Sequence, residues 1–154
     1  MINLEDEFIQ QSNYIEGERS GAAFVDALEA WRFAKGCPKI GFPEILEIHR
    51  ILMKRLRPDS AGNRRKVNVS VGGRMCPNPG SLGRLLFTLL DEPRPTNERT
   101  IQEWHVKFEH IHPFEDGNGR VGRIILNWQR IKSGHPILAI HEGAEQMEYY
   151  SWFH

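Results

Sequence analysis

The chain has 154 residues, 40% of them apolar, and its twenty basic residues are balanced by twenty acidic ones. That length can bury one sizeable core, and that apolar fraction excludes a disordered chain. The cancelled charge gives no support for broad binding to nucleic acid or to an anionic membrane.

Two cysteines, Cys37 and Cys76, are far apart and form neither a disulfide framework nor a zinc pattern. The start, MINLEDEF, is acidic and lacks the basic and apolar regions of a signal peptide. No apolar run approaches the ~20 residues that span a bilayer. The expectation is a cytoplasmic protein with no membrane or nucleic-acid partner.

Taken in chain order, the elements are mostly helical. A short N-terminal helix is expected at about residues 8–17, ended by Gly17. From about Ala22 to Ala34, Phe24, Ala27, Leu28, Trp31 and Ala34 recur at helical spacing, and Gly36 can close that helix. Pro43 suits a first helical position, with Ile45, Ile48, Leu52 and Leu56 following on one face. Then the rhythm changes. Val67, Val69 and Val71 alternate with Asn68 and Ser70, and Gly72-Gly73 follows, which predicts a small β-hairpin. Two strands alone are marginal in water, so the hairpin must lean on helices. Ser81 is the expected N-cap for Leu82, Leu85, Leu86 and Leu89. Ile101, Trp104, Phe108 and Ile111 make another stripe. Val121, Ile124, Ile125, Trp128 and Ile131 make the next, stopped by Gly134 and Pro136. A last helix is expected near the end, at QMEYYSWFH.

The chemistry concentrates in HPFEDGNGR, His112 to Arg120. Pro113 disfavours helical geometry at the residue before it, so His112 should stand where the preceding helix stops. A glycine-bracketed turn running into a helix points several N–H groups at one spot, and that spot suits phosphate. Arg120 and Arg123 share a face of that helix, with Asn127 and Arg130 continuing the polar stripe opposite the apolar one. Glu115 and Asp116 stand just before the anion site and would repel phosphate. A hard divalent cation such as Mg²⁺, held by one carboxylate and the phosphates, resolves the conflict. His112 then remains as a base for an incoming hydroxyl. His105, His110 and His112 do not share a helix face, which argues against a zinc set.

These residues resemble the Fic family signature H-x-F-x-(D/E)-G-N-G-R-x-x-R, matched by His112, Phe114, Asp116, Gly117, Asn118, Gly119, Arg120 and Arg123. The segments Ile45–Met53, Ala61–Pro77 and Gly134–Ile140 are similar to neighbouring family segments. The resemblance implies one Fic domain over 1–154: an all-α helical bundle with a small β-hairpin flap near the active site. It implies a protein adenylyltransferase that moves AMP from Mg-ATP to a Ser, Thr or Tyr hydroxyl of a target protein. By it, His112 is the general base and Asp116 the Mg²⁺ ligand. Gly117, Asn118 and Gly119 form the anion hole, with Arg120 and Arg123 holding phosphates. Val69, Ser70, Val71, Gly72 and Gly73 are the flap segment that would align the target, an edge able to pair with any extended backbone. Upstream, SNYIEG is similar to the family's inhibitory pattern (S/T)-x-x-x-E-(G/N), which gives Ser12, Glu16 and Gly17 that role. By analogy Tyr149 and Tyr150 line an adenine pocket. The same site could instead remove AMP or transfer another phosphate-containing group, or serve as a non-catalytic nucleotide-binding module. The sequence leaves the target, self-modification and homo-oligomerisation open.

Overall fold

A computed structural model describes residues 3–154, so residues 1 and 2 of the expected domain lie outside it. Among the described residues the order is α1 (Leu4–Ile15), α2 (Gly21–Gly36), α3 (Phe42–Met53), β1 (Ser70–Val71), β2 (Arg74–Met75), α4 (Leu82–Asp91), α5 (Glu98–Ile111), α6 (Asn118–Lys132) and α7 (Ala144–Tyr150). The expected helices are all present.

The helix starts follow from capping side chains. Asn3 Oδ1 accepts the Asp6 N–H at 2.8 Å, Ser20 Oγ accepts the Ala23 N–H at 3.1 Å, and Asn97 Oδ1 accepts the Thr100 N–H at 2.9 Å. Three details differ from the sequence expectation. Helix α1 begins at Leu4 and not near residue 8, because Asn3 caps it. Phe42 is the first residue of α3, ahead of Pro43, and Glu44 Oε1 accepts the Gly41 N–H at 2.8 Å. Ser81 makes no side-chain cap; its hydroxyl donates to the Asn78 carbonyl. Asn78 instead caps a 3₁₀ turn, Pro79–Ser81, that leads into α4.

Helix α6 lies at the centre. Val121, Ile124, Ile125 and Trp128 join one core with Phe8, Trp31, Ile48, Leu52, Phe108 and Phe114. Helix α2 packs on α3, α5 on α6, and α1 on α2 and α6. The polar stripe of α6 is buried as well, since Arg120, Arg123, Asn127 and Arg130 are each at most 8% exposed. Asn127 exchanges hydrogen bonds with the Leu138 backbone, and Arg130 Nε donates to the Pro136 carbonyl. These two residues fasten the 136–138 segment along the helix. A second cluster, Ile15, Ile140 and Tyr149 with Leu138, Trp152 and Phe153, closes the end near Arg123.

Two polar anchors fix the first helices. Glu5 accepts from Trp31 Nε1 at 3.2 Å and Lys35 Nζ at 2.7 Å, tying α1 to α2. Buried Asp26 accepts two bonds from Arg55 Nε and one from its Nη2, tying α2 to the turn after α3.

The hairpin pairs Ser70 with Met75 and Val71 with Arg74. Gly72 and Gly73 both have positive φ, 56° and 79°, as a two-residue primed turn needs. The paired part is shorter than the Val67–Val71 alternation suggests. The Val67 carbonyl is taken by Arg65 Nη1 at 2.9 Å and so leaves the ladder. None of the described helices is long and apolar enough to cross a membrane.

Candidate active site

His112 is the C-cap of α5 and stands in the left-handed region at φ 52°, the one non-glycine residue with positive φ among those described. Its N–H still donates to the Phe108 carbonyl at 3.1 Å. Pro113 ends the helix, as the sequence indicates. Burial, together with the Arg65 charge, pushes the His112 pKa down, so the ring is neutral near pH 7 and able to accept a proton.

The turn between α5 and α6 is closed by Asn118. Its Oδ1 accepts the Phe114 N–H at 2.9 Å and its Nδ2 donates to the Phe114 carbonyl at 2.7 Å. Its side chain is therefore spent on the loop. The Gly117 N–H is also spent, on Asp116 Oδ1 at 2.8 Å. What faces an incoming anion is the start of α6, where the N–H groups of Asn118, Gly119 and Arg120 lack intrahelical acceptors.

Arg120 is 5% exposed, yet its Nε and Nη1 have no partner among the described residues. Nη2 reaches only the Met53 sulfur, at 3.4 Å. Burial lowers its pKa while Asp116 and Glu16 act in the opposite sense. A buried guanidinium with idle donors beside a helix N-terminus is an anion site by its chemistry.

Arg123, one turn further, is fully occupied. Nε donates to Ser12 Oγ at 2.8 Å, Nη2 to the Ser12 carbonyl at 3.1 Å and to Glu16 Oε1 at 2.8 Å, and Nη1 to the Tyr149 hydroxyl at 3.3 Å. Burial opposes its charge, and the Tyr149 and Glu16 oxygens more than offset this, raising its pKa. Glu16 is the C-cap of α1, and Gly17 follows with φ 75°. The Glu16 carboxylate also closes on the anion turn. A Cβ on Gly119 would stand 2.6 Å from Glu16 Oε1, so only glycine admits this approach.

Asp116 and Glu115 lie at the surface of the turn, with side chains 51% and 36% exposed. Arg57 stands 3.7 Å from Asp116 Oδ2 and 3.6 Å from Glu115 Oε2. No cluster of three or more His, Cys, Asp or Glu side chains is found among the described residues. Asp116 thus offers one exposed carboxylate, and one carboxylate together with phosphate oxygens is a common way to hold Mg²⁺.

Tyr149 and Tyr150, the expected adenine-pocket pair, differ in their surroundings. Tyr149 is 3% exposed and enclosed by Trp152, Phe153 and the Arg123 guanidinium. Its hydroxyl is 2.7 Å from His105 Nε2. Tyr150 is partly exposed, and its hydroxyl accepts from Gln146. The flap residues Ser70 and Val71 are exposed, with Val71 at 51%, and both hairpin strands have a free outer edge.

Several residues outside the signature complete the site. His49 stacks on Phe114 with ring centroids 3.8 Å apart. Its Nδ1 accepts the Gly62 N–H at 2.9 Å, which fixes the tautomer whose Nε2–H donates to the Asp116 carbonyl at 2.8 Å. His105 Nδ1 is 3.2 Å from the Gly122 carbonyl, and burial lowers its pKa to about 3. Its neutral Nε2 therefore accepts from Tyr149, and a chain of bonds runs from α5 to Arg123. Glu109 is largely but not fully buried beside these groups, its side chain 14% exposed and 4.0 Å from His105 Nε2, and its Oε1 has no hydrogen-bond partner among the described residues. One signal for the two histidines was available: each interrupts an apolar helix face, His49 beside Ile45 and Leu52, His105 beside Ile101 and Phe108.

Burial raises the Glu109 pKa to about 7, with the Arg123 charge acting in the opposite sense. The folded state keeps this proton at pH values where the unfolded chain, near 4.5, has lost it. Its contribution to stability is complete below about pH 4.5 and is lost as pH rises through about 7. Glu109→Gln should remove that slope. It should stabilise the protein by on the order of 1–3 kcal/mol at pH 8 and much less at pH 5. Denaturant unfolding at the two pH values checks this; an equal effect at both would refute it.

A family model described as the Fic/DOC family matches residues 40–129, more than half of the chain. The chain is 33% identical over 120 residues to the protein adenylyltransferase Fic of Drosophila erecta, covering 73% of this chain and 24% of that protein. It is 32% identical over 123 residues to the protein of the same name from Culex quinquefasciatus, again covering 73% and 24%. The chain thus spans about a quarter of the length of these relatives. Among solved structures, its fold is similar to Fic-1 from C. elegans, with TM-score 0.80 and 24% identity over 98% of this chain and 55% of that one. A Fic domain containing signaling protein from Bacteroides thetaiotaomicron gives TM-score 0.78 and 20% identity over 96% and 69%. The mostly helical fold with its small hairpin is the one expected from the signature. With the family model matched over most of that fold, the chain belongs to the Fic/DOC family.

Proposed function

We propose that this chain transfers the AMP group of ATP to a Ser, Thr or Tyr hydroxyl of a protein, and that Glu16 restrains the reaction. The observation that carries the reading is the buried Arg120 at the α6 N-terminus, its Nε and Nη1 without a partner among the described residues, at the end of the turn that begins with a neutral His112. The name protein adenylyltransferase, carried by the relatives, agrees with it.

His112 takes the proton from the target hydroxyl. That oxygen attacks the α-phosphorus of ATP, the bond to the bridging oxygen breaks, and pyrophosphate leaves. The α6 N–H groups and Arg120 stabilise charge on the phosphoryl oxygens. Arg123, when released by Glu16, anchors the γ-phosphate. Asp116 is the residue to hold Mg²⁺, which when bound would neutralise phosphate charge. The hairpin edge pairs with an extended target segment and brings its hydroxyl toward His112.

Mass spectrometry after incubation with ATP and Mg²⁺ tests the reaction. A gain of one AMP on the protein itself supports it; a gain of phosphate, or no gain in the Glu16→Gly variant, rejects it. Asp116→Ala should lose Mg²⁺-dependent transfer and weaken Mg-ATP binding, while melting close to the wild-type temperature because the side chain is half exposed. If Glu115→Ala proved the more damaging in a Mg²⁺ titration of ATP binding, the ligand would be Glu115.

A further inference from the structure

We propose that Arg65 is a positioning residue for transfer, a single side chain that fixes the hairpin to the segment carrying His112. The inference rests on the transfer reading above.

Arg65 is 3% exposed, and every side-chain partner it has is a main-chain carbonyl. Two belong to the end of α5. Nε donates to the His112 carbonyl at 2.6 Å, and Nη2 to the Ile111 carbonyl at 3.3 Å. These are the orphan acceptors of a helix C-terminus, where a fixed positive charge is favoured. The other two belong to the legs of the hairpin. Nη1 donates to the Val67 carbonyl at 2.9 Å before β1, and Nη2 to the Pro77 carbonyl at 2.6 Å after β2. The backbone N–H of Arg65 adds a bond to the Pro113 carbonyl at 2.9 Å. No carboxylate forms an ion pair with Arg65 among the described residues. A buried guanidinium held only by carbonyls is specialised for joining backbones, and its planar fork reaches acceptors in several directions at once.

Both ends of this joint need holding. The hairpin pairs only two residues per strand and all four are exposed, so it has little apolar surface to anchor it. His112 sits at a φ of 52°, a conformation that persists when its surroundings over-determine it. Arg65 grips the carbonyl of that same residue. His49 adds a second link between the two segments, joining the Gly62 N–H to the Asp116 carbonyl. The separation between a hydroxyl held on the hairpin and the His112 ring thus depends on this guanidinium, the one side chain that bonds both legs of the hairpin and the end of α5. ATP, bound by α6, is not in that path.

Arg65→Lys keeps the charge but cannot span four carbonyls, and it should uncouple transfer from ATP binding. The experiment places Arg65→Lys and Arg65→Gln in the Glu16→Gly background. Calorimetry gives the Kd for ATP and the number of ATP sites per chain, and α-labelled ATP gives the rate of self-modification per ATP site. Amide hydrogen exchange is read over residues 67–77. We expect the Kd to stay within about threefold, the rate per site to fall on the order of 10²-fold, and exchange at 67–77 to rise while α2 and α3 are unchanged. A merely structural role would lower the number of sites and leave the rate per site alone, which overturns the proposal. Unchanged exchange at 67–77 overturns it too. If the Glu16→Gly parent takes up no label, the transfer reading fails, and exchange alone decides whether Arg65 holds the hairpin.

Discussion

Glu16→Gly should raise self-modification and target modification on the order of 10²-fold, because catalysis depends that steeply on the placement of the attacked phosphate. The Glu16 carboxylate sits 2.8 Å from Arg123 Nη2 and against the Cα of Gly119, where an anion at the α6 N-terminus would lie. In the proposed restraint it would compete with phosphate twice, for the guanidinium and for the helix end. An arginine fork cannot serve a carboxylate and a phosphate fully at once. ATP bound beside Glu16 meets a negative charge where its γ-phosphate needs an anchor. Arg123→Ala should not mimic the activation, since it frees Glu16 and removes the anchor together. A time course of label incorporation for wild type, Glu16→Gly, Arg123→Ala and the double variant checks this. Equal rates for wild type and Glu16→Gly would return SNYIEG to an ordinary helix end.

His112→Ala, made in the Glu16→Gly background, should reduce transfer by about 10²–10⁴-fold, the usual contribution of a general base. The Kd for ATP should change little. The α6 N–H groups and Arg120 remain, and the turn is closed by Asn118 independently of the His112 ring. The pH profile of the parent gives a second readout. Burial lowers the His112 pKa below the ordinary 6.5, so the neutral base persists as pH falls through that value. The acid limb of the rate should therefore lie below pH 6.5. Transfer by His112→Ala within a few-fold of its parent would remove His112 from the mechanism.

The turn and helix start between His112 and Arg123 were legible because their geometry is local. A proline, a glycine-bracketed turn and a helix start decide it within a dozen residues. The chemistry that supports them was not legible, because it crosses the chain. Arg65 stands in a run, Arg64-Arg65-Lys66, that reads as solvated surface. Which of the three is buried depends on carbonyls 46 and 47 residues away. Tyr149 behaves the same way. A terminal aromatic gives no local sign that its hydroxyl will join His105 to Arg123. Ser81 failed as a cap for a closer reason: Asn78 and Pro79 start a 3₁₀ turn first, and the Ser81 hydroxyl turns back to the Asn78 carbonyl. The polar stripe of α6 was read correctly as a stripe. Its burial came from α1 and the 136–138 segment, which nothing in the helix itself announces.

The anchoring of α1 has a kinetic meaning. Phe8 and Ile9 are 1% exposed in the main core, Phe8 meets Trp31 edge-on, and Glu5 is bonded to α2. Under the proposed restraint helix α1 would therefore stay docked, and the moving part would be the helix end at Glu16 and Gly17. Ser12, on the docked part of the helix, bonds Arg123 through its hydroxyl and its carbonyl, contacts that do not depend on the Glu16 carboxylate. Displacement of so short a segment belongs to nanoseconds to microseconds. The proposed restraint would then work as a rapid equilibrium and not as a latch. Activation by rising ATP should show no lag, and the resting rate should report directly the fraction of time the carboxylate is away.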